Sequence, residues 1–387
     1  MTRYFNYADL TWPEVAALPR NTPLVIPLGE RYPLDKLSES LGNPSSVGLL
    51  PPIPYGWEGS GLRLDDQLLE QFLSNLLASL RDDGFSQVYT LTPPGIAQGL
   101  GVLRIALSPN KINLPDLPAK TFIIPPDSAR NKVVIIPIGH TEQHGLHLPM
   151  ATDTFIIEAI AQGVTNAAPE RAVTLPVMPY GVSTHRSSFA GTLNTGGRAF
   201  EDLWVNLVDT LADRGFDRFY LISGHGGNCS FLVNVTKYAG ERHRRIFCTT
   251  AWLYLSGPQG IAAIEKHRQS AIGGMGHAGE LETSLILHLR PDLVHMERVV
   301  DETDFISTSS YYMDWVEGGA LVANPPWDDD TKTGAYGAGS LATAENGDIW
   351  LKAAIAEKVN HVDEIHEQQE RREARRKTGF GLWADRI

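Results

Sequence analysis

The stretch LVDTLADRGFDRFYLISGHGG, residues 207–227, decides the fold. Leu203, Leu207 and Leu211 recur at helical spacing up to Gly215, and a strand pattern over 216–222 follows at once and closes in a glycine-rich turn. Helix, tight turn and strand in immediate succession predict an α/β protein, with a mostly parallel sheet and crossover helices in layers on either side. In such sheets ligands collect at the carboxyl ends of the strands. Two histidine-bearing stretches stand at such ends: Ser-Gly-His-Gly-Gly-Asn at 223–228 and Gly-His-Thr-Glu-Gln-His-Gly at 139–145.

The same pattern occurs earlier in the chain in a reduced form. TPLVIPLG (22–29) echoes KVVIIPIG (132–139), LLPPIPYG (49–56) echoes VTLPVMPYG (173–181), and LLASLRDDGFSQVYTLTPPG (76–95) echoes the opening stretch. Three matched blocks in one order predict a duplicated α/β unit with a shortened first copy. On this reading residues 1–130 hold the first copy and a Pro-rich linker from about residue 96, and residues 131–387 hold the second copy. The irregular stretch 301–337 reads as a surface loop or lid, and the tail from Leu351 to Lys377 reads as a helix with a solvated charged face.

Composition narrows the function. The chain has 387 residues and a net charge of −12, which offers no electrostatic footprint for a nucleic acid or an anionic membrane surface. No leading apolar segment and no run of 18 apolar residues occur, so a cytoplasmic protein is the default expectation. The two cysteines, Cys229 and Cys248, are too few to staple a chain of this length. All twelve histidines lie between His140 and His366, so imidazole chemistry belongs to the second copy.

Within twelve residues after a predicted strand come Glu142, His144, His147 and Asp153. Extended backbone sends residues i and i+2 to one side, which aims Glu142 and His144 at a common centre. Nitrogen and oxygen donors of this kind suit Zn, Mn or Fe, and Asp153 is a carboxylate able to bridge two ions. His225 sits in the second glycine-rich turn. His277-Ala-Gly-Glu-Leu-Glu-Thr-Ser284 opens a helix on which Glu280 and Glu282 stand about 200° apart, so the two are not expected to serve one centre. Glu280 is taken as the ligand, while Glu282 and Asn228 are given supporting roles.

With Thr152-Asp153, Thr333-Gly-Ala-Tyr-Gly337 and Leu341-Ala-Thr-Ala-Glu-Asn-Gly347, these motifs resemble the creatininase superfamily over about residues 132–356. The resemblance implies a three-layer α/β/α sandwich, a two-metal site, a small-molecule substrate and commonly a homo-oligomer, often a hexamer. Residue by residue it places Glu142, His144, Asp153 and His225 on metal-ligand positions, Asp153 as the bridge, and His277 near the scissile bond. Creatininase itself carries a glutamate where this chain has Gly227, and relatives with Gly-His-Gly-Gly-Asn resemble this chain in offering the first glutamate of His-Ala-Gly-Glu, Glu280. The first copy has Tyr32, Leu34 and Pro94 at the corresponding places, none of them a good ligand, and is expected to be metal-free.

The expected reaction is hydrolysis, in which two divalent ions activate a water for attack on a carbonyl and His277 protonates the leaving group. Cleavage of a C–N bond in a small polar, cyclic amide is the leading expectation. The alternative is C–C ring opening of a cyclic diketone, since the family includes hydrolases of 3-dehydro-scyllo-inosose and diketo-inositol. His185 and Arg186 are candidates for substrate hydroxyl or carboxylate groups. A reading from another class is a metal-independent cysteine hydrolase using Cys229 with His225 or His277, and a third is a non-catalytic binding protein.

Overall fold

Pro27 lies opposite Leu91 and Pro137 lies opposite Ile222 in two separate parallel sheets, at equivalent places in the matched sequence blocks. The computed structural model describes residues 2–94, 104–106, 123–184, 188–315 and 318–378. Its first sheet contains β1 (Arg3–Asn6), β2 (Leu24–Pro27), β3 (Ser46–Leu49), β4 (Val88–Thr92) and β5 (Arg104–Ala106), in the order β1-β3-β2-β4-β5. The second contains β6 (Val133–Ile138), β7 (Ala172–Thr174), β8 (Arg218–Ser223) and β9 (Phe247–Thr250), in the order β7-β6-β8-β9. Every pairing is parallel.

Hydrogen bonds at the ends of the two blocks match as well. Gly29 donates to Ile53 as Gly139 donates to Met178, each at 2.9 Å. The helices α3 (Asp66–Asp82) and α5 (Gly197–Asp213) both end just before a glycine with positive φ, Gly84 at 92° and Gly215 at 93°, a conformation that a Cβ would strain. One expectation fails here. The stretch read as linker contains β5, which pairs with β4 as β9 pairs with β8, and three residues are too short to leave a period-2 pattern in sequence.

Alternation along the strands explains the layers. Val134, Ile136 and Ile138 point into one apolar cluster, whereas Val133 and Ile135 point into another on the far side, and all five are buried. The first cluster also receives Leu24, Ile26 and Leu28 of the first sheet. Between the two sheets lie α3, α5 and α6 (Gly226–Arg242), so one helical layer serves both. The far side of the second sheet is covered by α4 (Thr152–Ala167), α7 (Pro258–His267), α8 (Glu280–Leu289) and the long α9 (Ala344–Lys377). The outer face of the first sheet packs a smaller cluster with α2 (Leu34–Ser40), and α1 (Trp12–Ala17) adds Val15 to the shared core.

Local capping agrees with this assembly. Asp65 accepts from Gln67 and Leu68 N–H groups at 2.9 and 3.2 Å to start α3, and Thr343 accepts from Asn346 to start α9. The described residues of 301–337 are irregular apart from one 3-10 turn, Trp327–Asp329, and the isolated bridges Glu302–Gly337 and Thr308–Tyr311. Among the described residues, no helix is long and apolar enough to cross a membrane.

Candidate metal centre

The ends of β6 and β8 and the first turn of α4 meet at one buried place. Here α4 approaches so closely that an added Cβ would lie 2.3 Å from Thr154 Oγ1 at Gly139 and 2.2 Å from the Asp153 carbonyl at Gly224. The loop from β6 to α4 is fixed by the Glu142 N–H on the Met150 carbonyl (3.0 Å). It is also tied to the N-terminal unit, because Met150 and Ala151 donate to Leu10 and Ala8 at 2.8 and 3.1 Å. Asn228 stitches the floor: its Oδ1 accepts from Val182 N, and its Nδ2 donates to the Gly139 carbonyl and Ser223 Oγ. Asn228 thus ties the loops together through all three of these hydrogen bonds.

Three donor groups form, each with its atoms within 4.8 Å of one another: His140, Glu142 and His225; Glu142, His144 and His277; His144, Asp153 and Glu282. All seven residues are buried. Nδ1 of His225 is 2.8 Å from Glu142 Oε1 and 3.3 Å from Asp153 Oδ2, and Nε2 of His144 is 3.1 Å from Asp153 Oδ1 and 3.8 Å from Glu282 Oε2. His277 Nδ1 lies 3.6 Å from Glu142 Oε1.

The backbone fixes what three of these rings present. His144 Nδ1 meets the carbonyl of Glu142 at 3.2 Å, His225 Nε2 that of Val182 at 2.9 Å, and His277 Nε2 that of Gln143 at 2.6 Å. A carbonyl only accepts, so each of these nitrogens carries the hydrogen, and in the neutral ring the other nitrogen turns a lone pair toward the carboxylates. Gln143 Nε2 also lies 3.2 Å from His277 Nε2, but it donates to the Gly334 carbonyl at 2.9 Å and leaves the shorter contact in charge. Imidazoles oriented by backbone carbonyls, with lone pairs converging on carboxylates, have the chemistry of a divalent-metal site, and these residues fit such ions.

Charge in this space is strongly displaced. Burial opposes the charged ring of His144, but Asp153 outweighs it and the pKa is pushed up to about 9. Burial likewise opposes His225, and Glu142 and Asp153 raise it well above the ordinary value. Asp153 is held below the carboxylate range because His144 and His225 overcome its burial. Burial raises Glu282 to about 7 against the pull of His144. His277 stays neutral, lowered by burial and by the nearby His144.

Glu282, not Glu280, reaches the cluster, which corrects the choice made from sequence. The two do point apart, but Glu280 turns its carboxylate onto the N–H groups of Gln269 and Ser270 at 2.8–3.2 Å. Glu282 faces inward, and one of its oxygens also accepts from Ala278 N. His140 was not singled out as a site residue. The rule that paired Glu142 with His144 reaches His140 as well, two residues earlier on the same extended backbone. His147 is displaced from the centre, with Nε2 against Thr283 Oγ1 at 2.9 Å, and burial lowers its pKa to about 4. His185 and Arg186 lie outside the described residues.

Cys229 is a core thiol. Its Sγ faces the carbonyl of His225 (3.7 Å) and the N–H of Leu253 (3.5 Å), and burial pushes the pKa up to about 12. A thiol so protonated is a poor nucleophile, so the cysteine-hydrolase reading has no support. At the matching end of the first sheet Tyr32 donates to the Leu28 carbonyl (2.6 Å). Among the described residues, all groups of three candidate ligands fall at the second sheet.

Above His277 stands an aromatic wall. Trp327 meets the ring edge to face at 4.7 Å and packs with Tyr336 and Phe189. Trp12, from the N-terminal unit, stacks edgewise on Phe189 and donates its indole N–H to the Thr333 carbonyl at 2.9 Å.

The chain is 34% identical over 175 residues to the mycofactocin precursor peptide peptidase of Mycolicibacterium smegmatis, covering 43% of this chain and 62% of that protein. It is 29% identical over 177 residues to the 3-dehydro-scyllo-inosose hydrolase of Thermotoga maritima, covering 44% and 54%. The matches to these curated relatives thus span only about three fifths of their length or less. A solved structure described as "Creatininase Mn" is similar with a TM-score of 0.51 and 25% identity, covering 62% of this chain and 92% of that one. The family model for creatininase, described as creatinine amidohydrolase, matches residues 124–362, more than half of the sequence, and the chain belongs to the creatininase family.

Proposed function

We propose that the chain is a divalent-metal-dependent hydrolase that attacks a carbonyl of a small polar substrate and cleaves a C–N bond. The observation that carries this reading is the set of three imidazoles, each held by a backbone carbonyl, whose remaining nitrogens converge on Glu142, Asp153 and Glu282. Glu142, Asp153 and His225 would hold one ion and His144, Asp153 and Glu282 a second, with Asp153 shared. Zn, Mn and Fe all accept these donors. When bound, such ions lower the pKa of a coordinated water from 15.7 to about 7 and polarise a carbonyl.

The chain's own groups supply the rest. His277 is neutral and offers a lone pair at Nδ1, so it can take a proton from the attacking water and return it to the leaving nitrogen. Trp327, Tyr336 and Phe189 exclude water beside that nitrogen, which strengthens the electrostatics of the site. The described residues ahead of 131 hold none of the candidate ligand groups and support the site from outside, through Trp12 and through the Leu10 and Ala8 carbonyls.

A second reading, C–C ring opening of a cyclic diketone, is supported by the match to the 3-dehydro-scyllo-inosose hydrolase. The discriminating experiment assays the protein, stripped and reloaded with Zn or Mn, against cyclic amides, ureides and keto-inositols. The leading reading expects amine and carboxylate products, lost on chelation and restored by metal. C–C products without any C–N activity would replace it with the second.

A further inference from the structure

Four imidazoles surround the carboxylates, and one of them differs in kind. His140 is fully buried, and its Nδ1 receives the N–H of Gly181 at 2.9 Å. An N–H only donates, so Nδ1 must be the lone-pair nitrogen, and in the neutral ring Nε2 carries the hydrogen. The rings of His144, His225 and His277 are set the opposite way, by carbonyls.

Gly181 is held in place by the peptide that follows it. Its carbonyl accepts from both the N–H and the hydroxyl of Thr195, at 3.0 and 2.8 Å. Asn228 packs where a side chain at 181 would stand, 2.3 Å from the place of a Cβ, and its Oδ1 holds the next N–H, that of Val182. The ring of His140 is also layered on that of His225, with centroids 4.4 Å apart. A metal on His140 Nε2 would require a hydrogen on Nδ1, directed at the hydrogen of Gly181.

Nε2 of His140 points at Glu142 Oε2, 3.8 Å away, while the other oxygen, Oε1, faces His225 and His277. Closing that gap to a hydrogen bond takes a movement of under about 1 Å. We propose that His140 is a positioning residue, whose Nε2–H holds the outer oxygen of Glu142 so that the inner oxygen is presented to a cation, and that it is not itself a ligand. This rests on the metal-site reading above. It divides the four imidazoles into three that offer lone pairs and one that offers a proton to a ligating carboxylate.

The test compares full-length wild type with His140→Gln, which keeps an N–H donor, and His140→Phe, which has none. Zinc affinity is measured by competition with a chromophoric chelator, the number of imidazoles per zinc by X-ray absorption, and folding by thermal melting. The expected result is two zinc ions in the wild type, one of them bound about 10- to 100-fold more weakly in His140→Phe and largely recovered in His140→Gln, with the imidazole count the same in all three. A lower count in either variant makes His140 a ligand and overturns the proposal, as does wild-type affinity in His140→Phe. Wild-type protein that binds no zinc overturns the metal reading itself. If His140→Phe does not fold, the zinc-loaded wild type still decides: its long-range proton–nitrogen spectrum must show His140 protonated on Nε2 and unligated, and a zinc-bound Nε2 refutes the proposal.

Discussion

His225 Nδ1 lies 2.8 Å from Glu142 Oε1, while the other nitrogen of the same ring donates to the Val182 carbonyl. In the neutral ring this sets a lone pair against an anionic oxygen inside the protein, and a cation must reconcile them. A proton does so in the metal-free protein, where His225 is raised well above its ordinary pKa, and on the proposed function a bound divalent ion would take its place.

Glu280 and Glu282 separate by function. Glu282→Gln removes a charged donor of the cluster and should weaken one metal by about 100-fold or more, read by chelator competition. Glu280→Ala should leave metal content unchanged, yet lower stability by about 1–3 kcal/mol, because the N–H groups of Gln269 and Ser270 lose their acceptor. Loss of metal in Glu280→Ala with none in Glu282→Gln would reverse the assignment.

Metal uptake should expel protons. At pH 7.5 metal-free His144 is protonated, since its pKa is pushed up to about 9 despite its burial. Calorimetric titration in buffers of different ionisation heat should show release of at least about one proton per chain, with apparent affinity rising about tenfold per pH unit up to pH 9. Stability carries the same sign. A folded pKa above the unfolded 6.5 gives a contribution complete below pH 6.5 and lost as pH rises through 9. The metal-free melting temperature should therefore fall across that window, and pH-independent uptake without proton release would contradict the assignment.

Thiol reagents should do little. With the Cys229 thiol raised to about 12 by burial, iodoacetamide at neutral pH should leave activity intact while a chelator abolishes it. Inactivation by alkylation of Cys229 in the folded, metal-loaded protein is the result that would revive the thiol mechanism.

The first copy should be indispensable for folding. Removing residues 1–123 takes away Leu69, Phe72, Leu73, Leu76, Leu77 and Leu80 of α3, all buried in the cluster that α3 shares with α5. At about 1.5–3 kcal/mol for each side chain, that loss rivals the whole stability of a typical domain, about 5–15 kcal/mol. Calorimetry of the truncated chain should show no cooperative transition. A truncated protein melting like the full chain would show that the copies fold independently.

Much of this architecture was legible in the sequence, for identifiable reasons. The strands around Pro27 and Pro137 are continuous apolar runs because both faces of each sheet are covered, and Gly84 and Gly215 mark the same helix ends. Glu142, His144, Asp153 and His225 could be picked out because they cluster at strand ends. The choice between Glu280 and Glu282 could not be read, since it depends on two backbone N–H groups at Gln269 and Ser270 that only the folded chain brings beneath α8. β5 was missed because three residues carry no period, and the orientation of His140 depends on Gly181, forty-one positions away.

The most direct test of the central claim is the metal content of purified, zinc- or manganese-loaded protein, measured by mass spectrometry for the wild type and Glu142→Gln alongside turnover. The expected result is two divalent ions per wild-type chain, with the variant losing one ion and its turnover together. A wild type without bound metal, or a Glu142→Gln protein with both ions and full activity, would contradict it.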